Sequence, residues 1–407
     1  MTRTRLVPQI SALPPRVPAL DGVRGLAILL VFFFHYLFYP SGDAPISSAA
    51  LRAMISPARF GWTGVDLFFV LSGFLITGIL YDTRENERYF RNFYVRRILR
   101  IFPLYYLLIV CLLALSAVLQ ARWQVGHLWF LAYLGNPAVV FHPDLTQISP
   151  WIRVTHLWSL AVEEQFYLVW PMVVYWVVDP RKLLRICWIL IAVALGLRAG
   201  LFFLHLLPPH GVYVLLFCRM DALAVGSSLA ILMRTQPSGK VLRFLPIVGG
   251  LALVAALMIE FVRRANQYDP FMLTVGYTLI AFGYAACLQQ AIKSRTVMHR
   301  LFRNAGLRFF GKYSYGLYVN HFILIPVLAT LIPVFDRLTG SQTAAQLLFV
   351  SISLAVCLLV AMATYRWVES PFLRLKDRFN YSATERGGRH IDVAQRSGSP
   401  QERVIVA

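Results

Sequence analysis

Residues 22–35 read GVRGLAILLVFFFH, an apolar run with an arginine near its start and a histidine at its end. Comparable runs recur along the 407-residue chain, and at about 20 residues each can cross a hydrocarbon core of roughly 30 Å as a helix. Only 14% of the residues are charged, too few to solvate a compact globule of this size. We therefore predict an all-α polytopic membrane protein, a bundle of about ten transmembrane helices. The predicted spans lie near 20–39, 62–81, 99–119, 160–178, 184–206, 212–233, 244–262, 271–291, 314–334 and 344–366.

The chain divides into one membrane domain and two flanking segments. We assign residues 1–19 to a cytoplasmic N-terminal segment, 20–379 to the transmembrane domain and 380–407 to a polar, disordered cytoplasmic tail. A further apolar run, HLWFLAYLG at 127–135, is too brief to span the bilayer and is predicted to be re-entrant or interfacial.

The positions of the basic residues behind the net charge of +20 indicate membrane topology and not a nucleic-acid-binding surface. With the N-terminus in the cytoplasm, the predicted inner segments carry 28 Lys and Arg residues and the outer loops carry 7. This excess follows the positive-inside rule and predicts that both termini are cytoplasmic. The five cysteines all lie within apolar runs and show no CxxC spacing, so we expect neither a disulfide framework nor a metal site.

Arg24 and His35 share one face of the first predicted helix. They are eleven residues apart, so eleven steps of about 100° bring them within about 20° of each other, with an axial separation of roughly 16 Å. Ionisable side chains within a span usually face the bundle interior and often mark function. The alternative is a snorkelling arginine and a core histidine bonded to a carbonyl. An aligned pair in a helix that also carries Asp21 favours function.

Two carboxylates are candidates for orienting the His35 imidazole. Asp66 lies in the first turns of the second helix at about the depth of His35, where an acid can orient or charge an imidazole, although it can equally be a helix N-terminal carboxylate. Glu163 lies in THLWSLAVEEQFYLVWP (155–171) and shares a face with Tyr167. A buried carboxylate near an imidazole suits general acid–base chemistry, whereas the paired glutamates can also be a solvated helix start.

Arg97 and Arg100 form an RxxR pattern at the cytoplasmic entry of the third helix, in RNFYVRRILRIFPLYY (91–106). Arginines at an inner boundary are by default positive-inside anchors. These two share a helix face, and converging guanidinium groups suit phosphate oxygens.

Other polar residues fall within or just beyond spans. Arg219 and Asp221 lie together in one apolar span, where we expect them to neutralise each other in the bundle. His321 lies in the ninth predicted helix, and Glu369 lies just past the tenth.

These segments together resemble the acyltransferase family 3 membrane proteins, which O-acylate envelope and exported sugars. The matching pieces occur in family order over roughly residues 19–375. They are LDGVRGLAILLVFFFH, GVDLFFVLSGFLITGIL, FYVRRILRIFPLYY, HLWSLAVEEQFYLVWP, RMDALAVG, GKYSYGLYVNHF and YRWVESPF. In the ninth-helix piece an asparagine precedes His321 where an aromatic residue is common in the family, so the resemblance gives no clear role to this histidine.

The resemblance implies an acyl-CoA donor, typically acetyl-CoA, engaged from the cytoplasmic side and not a permanently bound cofactor. Arg24, Arg97 and Arg100 would bind the donor, and His35 would do chemistry farther out, oriented by Asp66 or Glu163. His35 acts either as a general base on a sugar hydroxyl or as a transient acyl acceptor.

The implied acceptor is a saccharide on the far side of the bacterial inner membrane, such as lipopolysaccharide, exopolysaccharide or another glycan, with membrane lipid around the bundle. Because no soluble domain is appended, transfer is expected to be direct or completed by a separate extracytoplasmic transferase. The main alternative is a proton-coupled transporter of a glycan or small molecule, because intramembrane His, Arg and Asp suit both. No inverted repeat is visible, which favours the enzyme.

Overall fold

The computed structural model describes residues 17–38, 51–52, 55–263 and 266–379, and within them the chain is almost entirely helical. The predicted N-terminal segment 1–19 falls largely, and the predicted tail 380–407 wholly, outside these residues. The helices are α1 (Pro18–Phe38), α2 (Gly64–Asp82), α3 (Tyr89–Ala114), α4 (Leu128–Leu131), α5 (Gly135–Phe141), α6 (Trp158–Trp176), α7 (Pro180–Phe203), α8 (Pro209–Val214), α9 (Leu216–Thr235), α10 (Lys240–Arg263), α11 (Tyr277–Ile292), α12 (Val297–Phe302), α13 (Ala305–Lys312), α14 (Ser314–Ala329), α15 (Ile332–Thr339), α16 (Gln342–Thr364) and α17 (Ser370–Lys376).

Each of the ten predicted spans coincides with a helix. Eight helices within the described ranges are long and apolar enough to cross a membrane, and the pair α14 and α15, bent by 56° at a short break, adds a ninth. The remaining predicted span is α6, which is less apolar because Glu163, Glu164 and Gln165 lie in its first half. The structure thus confirms an all-α membrane bundle.

The segment between α3 and α6 is the least regular part. It holds α4, α5 and a small antiparallel pair, β1 (Gln147–Ser149) with β2 (Ile152–Arg153). The run at 127–135 forms only the four-residue α4 and adjoining turns, so it does not span the bilayer.

Helices α2 and α9 form the interior of the bundle. Both are largely buried, whereas α7 and α10 expose most of their apolar surface to the surroundings, as lipid-facing helices do. Helix α9 packs against α2, α7 and α11, while α1 packs against α2, α13 and the 3-10 segment Ser56–Thr63.

Glycines let α2 and α9 approach closely. A Cβ at Gly73 would lie 2.0 Å from the carbonyl oxygen of Leu223, and a Cβ at Gly226 would lie 2.0 Å from that of Val70. No side chain fits at either position, so close backbone packing, as small residues permit in membranes, sets the distance between these helices.

Two further irregularities lie at the ends of membrane helices. Both are π-helical turns. Met272–Gly276 leads into α11, and Tyr365–Glu369 follows α16. Such turns inside long helices are frequent at functional sites, and Glu369 at the second of them is buried.

Candidate active site

A pocket opens between α1, α2, α3, α6 and α14. Its apolar walls come mainly from α2, including Val65, Phe68 and Phe69. Its polar lining brings together residues from five helices that are far apart in sequence. Its polar residues include Arg24, Ser72, Arg97, Arg100, Ser159, Glu163, Tyr167 and Tyr318.

The three arginines predicted to bind the donor all line this pocket. Arg24 Nη1 donates a hydrogen bond to Asp21 Oδ1 at 3.0 Å, which leaves part of its guanidinium free. Among the described residues, no carboxylate lies within salt-bridge distance of Arg97 or Arg100. The result is a half-buried group of positive charges that suits an anion with several oxygens, such as a phosphate.

Glu163 lines the pocket from the first turns of α6. Ser72 of α2 and Tyr167, one turn further along α6, line the pocket beside it. The hydroxyls of Ser72 and Tyr167 also hydrogen-bond to each other. The guanidinium of Arg97 stacks over the Tyr167 ring, 5.7 Å from its centroid. The predicted shared face of Glu163 and Tyr167 therefore points into the pocket.

At the other end of the pocket, Ser159 and Tyr318 join α6 to α14. Their hydroxyls hydrogen-bond to each other, and the one that accepts in that bond donates to the carbonyl oxygen of His156, which lies 3.2 Å from Tyr318 Oη and 3.4 Å from Ser159 Oγ. The ring of Tyr318 lies 5.5 Å from that of His321, centroid to centroid. This wall of the pocket is thus built directly on a cluster of histidines.

The histidine cluster consists of His35, His156 and His321, from three different parts of the chain. His35 Nδ1 lies 2.9 Å from the carbonyl oxygen of Val31 and 3.2 Å from His321 Nε2. The His156 ring lies 5.7 Å from the His321 ring. His156 and His321 are buried, and His35 is partly exposed. In the parts of the chain with a described structure, no group of three or more His, Cys, Asp or Glu side chains is arranged to hold a metal ion.

Asp66 lies in the first turn of α2 as predicted, but it is paired with Arg219 and not hydrogen-bonded to His35. Its Oδ1 accepts a 2.5 Å hydrogen bond from Arg219 Nη2, and both side chains are fully buried. Asp221 does not pair directly with Arg219 but with Arg198 of α7, at 2.9 Å. Two buried ion pairs therefore tie α2, α7 and α9 together, and Asp66 belongs to this pair network rather than to the imidazole of His35.

Among the described residues, the side chain hydrogen-bonded to His35 is that of His321, to which the resemblance gives no clear role. Glu163, the other predicted partner, lines the pocket together with Ser72 and Tyr167, and its role in orienting His35 stays a prediction. In the sequence His321 is a polar residue within an apolar span, in the piece GKYSYGLYVNHF. Nothing in the spacing of either segment shows that α14 packs against α1, as it does.

Arg24 and His35 lie on α1 as predicted, one in the pocket and the other in the histidine cluster. Helix α1 is continuous from Pro18 to Phe38, so the axial separation of roughly 16 Å holds. Glu163, Ser159 and Tyr318 line the pocket with Arg24, and the Tyr318 ring contacts that of His321, so polar side chains in contact form a track from the arginines to the histidines.

Comparison with known proteins identifies the family. The family model described as an acyltransferase domain (Acyl_transf_3) matches residues 17–366, and the chain belongs to this family. Its relatives include the peptidoglycan O-acetyltransferase OatA of Listeria monocytogenes, 28% identical over 393 residues, which cover 90% of this chain and 57% of OatA.

Two further relatives are similar at the same level. The putative peptidoglycan O-acetyltransferase YrhL of Bacillus subtilis is 28% identical over 377 residues, covering 87% of this chain and 54% of YrhL. A putative O-acetyltransferase of Staphylococcus aureus is 26% identical over 381 residues, covering 88% of this chain and 57% of the relative. The chain thus spans somewhat more than half the length of these relatives. No solved structure matches it significantly.

Proposed function

We propose that this protein transfers an acyl group, in the first instance acetyl, from acyl-CoA at the cytoplasmic side of the bacterial inner membrane to a hydroxyl of a saccharide on the other side. The observation that carries the proposal is the pocket lined by Arg24, Arg97 and Arg100, whose Tyr318 contacts His321, the hydrogen-bonded neighbour of His35. Family membership and the O-acetyltransferase names of the relatives support the same reaction class.

The arginine end of the pocket is the proposed donor site. Coenzyme A carries several phosphate oxygens, and guanidinium groups bind such oxygens with charge-assisted hydrogen bonds. Arg97 and Arg100 have no carboxylate partner among the described residues, so a donor would not have to displace an ion pair there. An extended pantetheine arm would then carry the thioester along the track toward His35.

His35 supplies the chemistry, by one of two routes. In the one-step route, Nε2 of His35 takes the proton of the acceptor hydroxyl while that oxygen attacks the thioester carbonyl carbon. The carbon–sulfur bond breaks, and the CoA thiolate receives the proton from His35. In the two-step route, Nε2 itself attacks the carbonyl carbon and CoA leaves as the thiol with the imidazole proton. The acyl-imidazole then passes its acyl group to the hydroxyl, whose proton returns to the imidazole.

The acceptor class is a glycan hydroxyl, and peptidoglycan is the first to assay. Two relatives are named for peptidoglycan O-acetylation. Transfer either reaches the glycan directly or passes through a separate extracytoplasmic transferase. Lipopolysaccharide and exopolysaccharide are assayed beside peptidoglycan, because all three glycans have sugar hydroxyls outside the membrane.

The test compares O-acyl esters in exported glycans of a deletion strain that carries wild type, His35→Ala or His205→Ala at equal protein level. His205 is an exposed histidine outside the pocket and the cluster, so it is a matched control. We expect esters with wild type and His205→Ala and none with His35→Ala. Equal esters in all three would remove His35 from the mechanism. Absence of esters with wild type in every glycan would refute acyl transfer to glycans and favour a transporter.

A second measurement separates the two chemical routes. Purified wild type is incubated with acetyl-labelled acetyl-CoA in the absence of acceptor. The two-step route predicts stoichiometric label on the protein that hydroxylamine removes and that His35→Ala lacks. The one-step route predicts no protein label but full transfer once acceptor is added.

A further inference from the structure

The hydrogen bonds of His321 fix where its proton lies. Its Nδ1 is 2.8 Å from the carbonyl oxygen of Tyr318 and 3.1 Å from that of Leu317. Carbonyl oxygens only accept hydrogen bonds, so Nδ1 must carry the hydrogen. A neutral imidazole has one N–H, and its other nitrogen is then an acceptor. His321 therefore presents the lone pair of Nε2 to its neighbour.

That neighbour is Nδ1 of His35, 3.2 Å away. The same Nδ1 lies 2.9 Å from the carbonyl oxygen of Val31. Both groups around His35 Nδ1 are acceptors, so this nitrogen is the one that carries hydrogen. The lone pair of His35 is consequently on Nε2, and His35 is the partly exposed member of the cluster.

We propose that His321 is a positioning residue for acyl transfer, holding His35 in the Nδ1–H form with Nε2 free to act. This inference rests on the proposed function. His321 accepts the His35 Nδ1–H bond, and this bond strengthens when Nε2 takes the proton of the acceptor hydroxyl and the ring becomes positive. The proton passes from the hydroxyl to Nε2 and then to the departing thiolate, so His321 itself ends the cycle unchanged.

The two acceptors around His35 Nδ1 have different consequences. Val31 lies on α1 itself, four residues before His35, so its carbonyl ties the ring only to its own helix. His321 lies on α14 and ties the ring to a second helix, whose Tyr318 lines the donor pocket. His321 thereby fixes the orientation of the His35 ring relative to the pocket. The sequence predicts this role for Asp66 or Glu163.

Two substitutions of similar size separate positioning from packing. In His321→Gln the amide oxygen can reach the place of Nε2 and accept from His35. In His321→Asn the amide remains near Nδ1, keeps a donor for the Tyr318 carbonyl and offers no acceptor at Nε2. His205→Asn is the matched control, the same change at an exposed histidine.

The first readout is kinetic, with full-length protein in liposomes, acetyl-CoA as donor and N-acetylglucosamine oligomers as the probe acceptor. We expect kcat to fall about 10- to 100-fold in His321→Asn, the loss typical of one hydrogen bond to a group that becomes charged. The KM for acetyl-CoA should stay within about twofold. His321→Gln should recover most of the rate. Wild-type kcat in His321→Asn, or equal losses in both variants, would overturn the positioning role.

The second readout does not depend on activity. Solid-state NMR of protein with ¹⁵N-labelled histidine, in bilayers, reports which ring nitrogen of His35 is protonated, with His35→Gln used for assignment. We expect Nδ1–H for His35 in wild type and His321→Gln, and a larger Nε2–H fraction in His321→Asn. A wild-type spectrum with His35 protonated at Nε2 would refute the inference. If wild type transfers nothing while its NMR shows Nδ1–H, the proposed function fails and the tautomer assignment stands.

Discussion

Replacement of Arg97 by glutamine tests the donor site most directly. Arg97 lies in the pocket with two other arginines and has no salt-bridge partner among the described residues. Its replacement therefore breaks no ion pair among these residues. It also lowers the repulsion among like charges. We therefore expect Arg97→Gln to fold normally, with any defect appearing in donor binding.

The magnitude follows from the kind of bond lost. A hydrogen bond to a charged group contributes about 1.5–3 kcal/mol, which corresponds to about a 10- to 150-fold change in affinity. Arg97 is only half-buried, and Arg24 and Arg100 remain to bind the same ligand. We therefore expect the lower part of the range, an increase of about 10- to 30-fold in the KM for acetyl-CoA, with little change in kcat at saturation.

The neighbouring arginine provides the control. Arg96 precedes Arg97 on α3, but its Nη1 donates to the backbone oxygens of Lys376 and Phe379, and it does not line the pocket. The assay measures initial rates over a range of acetyl-CoA concentrations for wild type, Arg97→Gln and Arg96→Gln, together with the Kd of free CoA. An unchanged Kd in Arg97→Gln would show that the donor binds elsewhere. An equal loss of CoA affinity in Arg96→Gln would show that the effect comes from positive charge in this region and not from contact of Arg97 with the donor.

Three further predictions address the bundle itself. Asp66→Asn leaves Arg219 without its buried partner and should destabilise the protein by about 3–5 kcal/mol, seen as a lower unfolding midpoint in detergent; no change in midpoint would show that the pair is not structurally required. Gly73→Ala should prevent stable folding because its Cβ would meet the Leu223 carbonyl, whereas Gly200→Ala, which meets nothing within 4 Å, should be tolerated; equal yields of folded protein would contradict the close-packing account. A C-terminal alkaline phosphatase fusion should be inactive if the C-terminus is cytoplasmic, and high activity would reverse the predicted topology.

The buried ion pairs explain why ionisable residues in membrane spans are ambiguous evidence. Asp66, Arg219, Asp221 and Arg198 all met the criterion of charge within an apolar span, yet the structure places them in a mutually neutralising network between helices. Arg24 met the same criterion and lies in the pocket. What separates the two groups is the availability of an opposite charge on a neighbouring helix.

The sequence by itself determined the properties that depend on residues close together in the chain. Apolar runs of bilayer length specify membrane helices because an unpaired backbone is too costly in lipid, and all ten predicted spans coincide with helices. The common face of Arg24 and His35, and that of Glu163 and Tyr167, follow from helical periodicity alone.

Tertiary structure decided which of these faces meet. The convergence of Arg24 with Arg97 and Arg100, the pairing of Asp66 with Arg219 and the contact between His35 and His321 all join helices that no local pattern relates. The physical reason is that helix periodicity fixes the direction of a side chain about its own axis. Which neighbour it meets depends on how the helices pack, through close contacts such as that between α2 and α9.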